Sequence, residues 1–158
     1  MKSKLSHLDA SGNPAMVNVG DKEITHRAAE AEGRVWLGAP IMALLVGEEL
    51  QSRKGPVFQT AIVAGIMGAK KTPELIPLCH PVGLDDCALK ISIDGEYAVI
   101  RSSVRVSART GVEMEALTAV AVAALTIYDM CKSVSHEIRI ESIQLMAKSG
   151  GKRDFTRQ

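Results

Sequence analysis

Thirteen consecutive residues, Ala116 to Tyr128, are apolar but for Thr118 and Thr126. Glu113 and Glu115 precede the run, and Asp129 and Lys132 follow it. A helix that is apolar all round leaves no face for water and must be buried. The run falls short of the roughly 18 to 20 apolar residues that span a bilayer. Gly111 to Lys132 is therefore expected to form the central helix of a folded core, with carboxylates at one end and an acid–base pair at the other. Asp129 and Lys132 are three apart and share a helical face. Glu113 and Glu115 are two apart, which puts them on one side of an extended segment rather than of a helix. Glu115 and Asp129 are fourteen positions apart, about 21 Å along a straight helix. Two solutions stay open. Either the glutamates precede the helix on a folded-back segment, or the two ends serve sites shared between subunits.

The rest of the chain must surround that helix. A length of 158 residues fits one domain. Aromatics are scarce, so Ala, Val, Ile and Leu must supply the core. A net charge of +1 gives no field for nucleic acid or a membrane surface. Three cysteines with no metal-type spacing fit a reducing compartment. The opening MKSKLSHLDASG lacks the apolar core of a secretory signal, and a cytoplasmic location is expected.

Residues 1–22 are polar and read as a mobile arm. Residues 23–148 read as a single catalytic domain and 149–158 as a Gly- and Lys-bearing tail. Ile24 to Leu37 reads as a strand with a bulge or kink at Gly33. Pro40 opens a short helix that runs from Ile41 to Leu50. Gln51 to Pro56 is a basic turn. Val57 to Lys71 is a helix whose Gly65 and Gly68 permit close packing. Pro77, Pro81 and Gly83 make Glu74 to Asp86 an irregular loop. Cys87 to Ile93 and Tyr97 to Val106 alternate as strands about an Asp94-Gly95 turn. Glu137 to Leu145 is a last strand. The order is the β-α-β-β-α-β of ferredoxin-like α+β folds, with helices on one face of an antiparallel sheet.

Lys54, Lys70, Lys71, Lys132, Lys148 and Lys152 fall at element ends or in Gly-containing loops. Singly each is a solvated lysine; as a set they point to an anionic ligand such as a triphosphate. Gly65 to Thr72, GIMGAKKT, is one residue from a phosphate-cradling loop, but Lys70 replaces the second glycine and the context is helical. His80 sits between two prolines, held as a substrate-contacting group must be, although one Cys-His pair makes no zinc site. His7, His26 and His136 read as surface. Asp129 and Lys132 are either a structural ion pair or an acid–base pair whose pKa values burial would shift. Glu113 and Glu115 either favour the helix dipole or orient a ligand and move protons.

The words at these positions are recognisable. KTPELIPLCHP (71–81), TGVEMEALTAVAVAALTIYDMCK (110–132) and KSGGK (148–152) closely resemble the molybdenum cofactor biosynthesis protein C family, as do MVNVGDK (16–22) and KGPVFQTAIVAGI (54–66). The resemblance runs from about Met16 to Lys152. It implies a ferredoxin-like subunit in a homohexamer, a trimer of dimers, with active sites at subunit interfaces. It implies a pyrophosphate-releasing lyase that turns 3′,8-cyclo-7,8-dihydroguanosine 5′-triphosphate into cyclic pyranopterin monophosphate for molybdopterin. Carried over by position, the implied catalytic residues are Asp129, Lys132, Lys54 and Glu115. The implied substrate contacts are Leu78, Cys79, His80, Glu113, Met114, Glu115 and Lys148. No metal ligand and no required cofactor is implied, and Mg²⁺ riding on the substrate triphosphate stays open; no nucleic-acid or membrane partner is implied.

Four positions depart from the family pattern: Asn18 for Asp, Pro56 for Asp, Ile62 for Arg and Arg109 for Lys. None is an implied catalytic residue. An RNA-binding module is the rival from another class, but Trp36, Phe58, Tyr97, Tyr128 and Phe155 form no base-stacking run. A relative that binds a nucleoside triphosphate without turning it over is the alternative.

Overall fold

The structure is a computed structural model and describes Leu8, Asp9 and residues 11–158. Its main sheet is built from β1 (Thr25–Trp36), β5 (Asp86–Asp94), β6 (Tyr97–Ala108), β7 (Arg139–Ser149) and β8 (Phe155–Thr156), in the spatial order β5-β6-β1-β7-β8. Every pairing in it is antiparallel. Helices α2 (Val57–Lys70) and α4 (Glu113–Cys131) pack together and against the sheet. Without β8, this is the ferredoxin-like order expected from the sequence, and β8 is an added edge strand.

Alternation explains the layering. Ala29, Ala31 and Val35 of β1 and Ile100, Val104 and Val106 of β6 are all buried, as period-two side chains on one sheet face must be. They meet Val120, Ala123, Ala124 and Ile127 of α4, which are fully buried. By length and hydropathy alone α4 could cross a membrane. Packed against both the sheet and α2, it has the place of a core helix. The small residues of α2 set the distance between the two helices. A Cβ on Gly65 would lie 2.8 Å from the Ala119 carbonyl oxygen, and one on Gly68 would lie 2.7 Å from a Val122 methyl. The backbones thus touch where no side chain fits.

The irregularity expected in β1 at Gly33 falls on its neighbour: β1 pairs without a break against β6, and β7 carries the extra residue. On the β7 side, Glu32 faces Gln144 and Arg34 faces Glu141, so two residues oppose Gly33. Asp94 pairs with Tyr97 across a two-residue turn, as expected.

One segment differs. The helix expected from Ile41 to Leu50 ends early, because α1 spans only Gly38–Met42. Leu45–Val46 (β2) and Glu49–Ser52 (β3) form a hairpin about Gly47, whose φ is +63°. Gly55–Pro56 (β4) adds a third strand, and Arg53 and Lys54 form the turn before it. Pro40 favoured a helix; a glycine in the left-handed region turned the chain instead. Two smaller shifts follow. Thr72–Leu75 forms a short helix, α3, before the proline-bearing loop. The last strand begins at Arg139 and runs on to Ser149.

Candidate active site

The three-stranded meander delivers Lys54 to the C-terminal end of α4. Glu49 on β3 anchors it, its carboxylate accepting from the backbone N–H groups of Phe58 (2.8 Å) and Gln59 (3.0 Å) at the start of α2. Those are unpaired donors at a helix N-terminus, so the carboxylate satisfies both the hydrogen bonds and the dipole. Lys54 Nζ then donates to Asp129 Oδ2 at 2.7 Å and to the Asp129 carbonyl at 3.2 Å. Lys132 Nζ lies 2.8 Å from the other carboxylate oxygen. Asp129 is thus gripped on both oxygens by two ammonium groups.

Of the two readings of Asp129 and Lys132, the one in which burial sets their pKa values does not hold, because hydrogen bonds outweigh it. Their side chains are about half exposed, because the last turn of α4 emerges from the core. The shifts run towards the charged forms. The Lys132 and Lys54 hydrogen bonds hold Asp129 down at about 2, and Asp129 raises Lys132. At neutral pH Asp129 is a carboxylate, and its lowered pKa suits it to holding the two lysine side chains in place.

The other cluster surrounds the start of α4. Both glutamates lie in the first helical turn, which excludes the folded-back segment. Lys148 Nζ at the end of β7 lies 2.9 Å from Glu113 Oε1. Burial pushes Glu113 up, but the Lys148 hydrogen bond and neighbouring charges outweigh it and leave this carboxyl lowered. Glu115 is only 3% exposed; burial, with the Glu113 charge behind it, raises its pKa. Two carboxyls two positions apart are thus shifted in opposite directions, Glu113 towards its charged form and Glu115 towards its neutral one. His80 Nε2 lies 2.7 Å from the Val17 carbonyl, which can only accept, so Nε2 carries the proton. That bond lays the arm across the site, and Arg109 Nε fixes it again through the Lys22 carbonyl at 3.0 Å.

A cavity of about 810 Å³ opens here, lined by His80, Glu113 and Lys148. Lys22, Arg27, Lys152 and Arg153 complete its polar wall. Of these, only Lys152 belonged to the basic set singled out in the sequence, and no spacing marked Lys22, Arg27 or Arg153. Lys70 and Lys71 sit at the end of α2, away from this wall. Leu78, Cys79, Met114 and Glu115 do not line the cavity, though Cys79 lies close enough for burial and then the Glu115 and Glu113 charges to raise its pKa. Cys131 is buried, and burial pushes its thiol up to about 11. His26 and His136 are exposed, and His7 lies outside the described residues. Among the described residues no group of three or more His, Cys, Asp or Glu side chains is placed to hold a metal ion.

The departures from the family pattern also have places. Asn18 caps a turn by accepting from the Gly20 N–H, Pro56 immediately precedes α2, and Ile62 packs half-buried against the core.

The structure therefore brings Lys54, Asp129 and Lys132 together, and separately His80, Glu113 and Lys148. It does not bring the two sets together within one chain. Glu115 and Asp129 sit at opposite ends of one helix, about 21 Å apart at 1.5 Å per residue.

Comparison with known proteins supplies a context for this arrangement. The MoaC family matches residues 16–151. The chain is 52% identical over 154 residues to a cyclic pyranopterin monophosphate synthase of Xanthomonas axonopodis pv. citri, covering 97% of this chain and 93% of that one. It is 49% identical over 152 residues to one of Chloroflexus aurantiacus, covering 95% and 92%. It is also 50% identical over 158 residues to molybdenum cofactor biosynthesis protein 1 of Drosophila melanogaster, covering 99% of this chain and 28% of the longer protein.

Proposed function

The chain belongs to the MoaC family, and we propose on that premise that it is a cyclic pyranopterin monophosphate synthase, assembled from more than one copy. The substrate is 3′,8-cyclo-7,8-dihydroguanosine 5′-triphosphate. The products are cyclic pyranopterin monophosphate and pyrophosphate, which makes the enzyme a lyase of molybdenum cofactor biosynthesis. A cytoplasmic location accords with this chemistry.

The observation that carries the reading is the pair of half-sites at the two ends of α4. The cavity supplies what a triphosphate needs: fixed cations around a polar hollow. The C-terminal cluster supplies what charge developing in the rearrangement needs: two lysine side chains fixed in place by one carboxylate. Closing the cyclic phosphate forms a bond from a substrate hydroxyl oxygen to the α-phosphorus and breaks the bond to pyrophosphate. Cations beside the leaving group offset its developing charge, and Mg²⁺, if carried on the substrate, would add to that effect. Glu113 holds Lys148 in place at the cavity wall, and Glu115 is buried outside the lining.

Neither half-site completes this chemistry alone, so the cavity of one copy faces the lysine–aspartate–lysine cluster of another. Exposed Val63 and Met67 on α2 and Leu125 on α4 support the reading, since apolar surface on the helical layer is what a second copy covers. A homohexamer, a trimer of dimers, is the assembly proposed. The test is anaerobic incubation with the cyclised nucleotide, following pyrophosphate and the fluorescence of the oxidised pterin. Both products are expected; binding without either would leave a non-catalytic triphosphate-binding relative.

A further inference from the structure

The family match stops at Gly151, and the wall of the cavity does not. Lys152 and Arg153 continue it from the loop that joins β7 to β8. This loop is tied down. Phe155 and Thr156 pair with Lys148 and Ala147, closing a hairpin over residues 149–154. Thr25 Oγ1 donates to the Gly150 carbonyl at 2.8 Å. Gly150 has a φ of +82° and lies so close to the His26 carbonyl that no Cβ fits. Its N–H donates to Asp154 Oδ1 at 3.2 Å. Beyond the hairpin, the Arg157 N–H donates to the Met146 carbonyl at 2.7 Å.

Charge is left over at this loop. The cavity wall holds five cations, Lys22, Arg27, Lys148, Lys152 and Arg153, and a single carboxylate, Glu113. Lys148 uses that carboxylate. Asp154, the acid next to Arg153 in sequence, is engaged by the main chain. Among the described residues Arg153 has no ion-pair partner. A guanidinium without a counter-ion, on a fixed loop, beside a cation-rich hollow, is matched to a phosphate in bidentate fashion.

We propose that the β7–β8 hairpin is a polyphosphate clasp: Arg153 binds the substrate's phosphates, and Asp154 is a positioning residue that holds the loop presenting it. The inference rests on the triphosphate substrate of the proposed function, and it adds two residues beyond the segment the family match covers.

The experiment titrates the full chain with inorganic tripolyphosphate by calorimetry and measures steady-state kinetics with the cyclised nucleotide. Arg153→Ala weakens tripolyphosphate binding about tenfold and raises KM by a similar factor, with kcat changed by less than about twofold. Asp154→Ala shifts both in the same direction. Asp154→Asn, whose amide oxygen still accepts from Gly150, keeps the parent affinity, and all three variants melt with the parent. Unchanged tripolyphosphate affinity in Arg153→Ala overturns the clasp. An Asp154→Asn variant as weak as Asp154→Ala overturns the positioning role. If the parent binds tripolyphosphate through Arg153 but makes no pterin, the synthase reading fails and the clasp stands.

Discussion

Gly65→Ala tests how the fold assembles the C-terminal half-site. Replacing a helical glycine with alanine should by itself stabilise α2 by about 1 kcal/mol. Here the new Cβ would meet the Ala119 carbonyl oxygen at 2.8 Å and a Leu89 methyl closer still. The carbonyl belongs to the α4 backbone and cannot rotate away, so α2 must move. Overpacking of this kind costs about 1 to 3 kcal/mol. The net effect is a loss of about 1 kcal/mol, the midpoint of that range less the propensity gain. With an m-value of about 2 kcal/mol/M, the urea midpoint falls by about 0.5 M. The same motion draws the β4–α2 junction, and Lys54 with it, away from Asp129, so turnover falls alongside stability. Equilibrium urea unfolding at matched m-values is the assay. A variant as stable as the parent, or more stable, would refute the claim that the two backbones are in contact.

Three further outcomes follow from the same geometry. Glu49→Ala strips two backbone donors at the start of α2 of their acceptor and lowers stability by about 1 kcal/mol, read as a drop of a few degrees in Tm; an unchanged Tm would contradict the anchoring role. The Asp129 carboxyl titrates by NMR at about 2, and in a Lys54→Ala, Lys132→Ala double variant it returns towards its ordinary 3.8; because its folded pKa is depressed, the stability it contributes is present above 3.8 and lost as pH falls through about 2. Glu115 has the opposite sign: its raised pKa means the folded chain binds more protons than the unfolded one, so its contribution is lost as pH rises from 4.5 through the folded value. Glu115→Gln therefore raises Tm at pH 8 and not at pH 4 while turnover falls, and equal melting curves at both pH values would sink that account.

The sheet and α4 were legible in the sequence because their patterns are long. Alternation in Tyr97 to Val106 and an apolar run with charged ends leave few alternatives. Ile41 to Leu50 was misread because Pro40 suits the first turn of a helix, and the decisive residue is Gly47, whose backbone conformation no spacing reveals. Asp129 and Lys132 were legible as neighbours three apart. Lys54 was not legible from spacing, because a hairpin 75 positions away delivers it. The direction of the Asp129 shift was missed for a related reason. The sequence shows an apolar helix but not where its last turn leaves the core, and exposure with two lysines at hand reverses what burial would do. Lys22, Arg27 and Arg153 reach the cavity through the arm, a strand and the C-terminal hairpin, elements that meet only in the folded chain.

The most direct test of a site divided between copies is subunit complementation. One variant carries Lys54→Ala and Asp129→Asn, the other Glu113→Gln and Lys148→Ala. Each alone should be inactive. Mixed after mild dissociation, they form hybrid interfaces in which one of two sites is intact, restoring about a quarter of parental turnover for random two-fold pairing. Recovery near that level is the predicted result. No recovery, in hybrids shown by mass to contain both chains, would contradict the divided site.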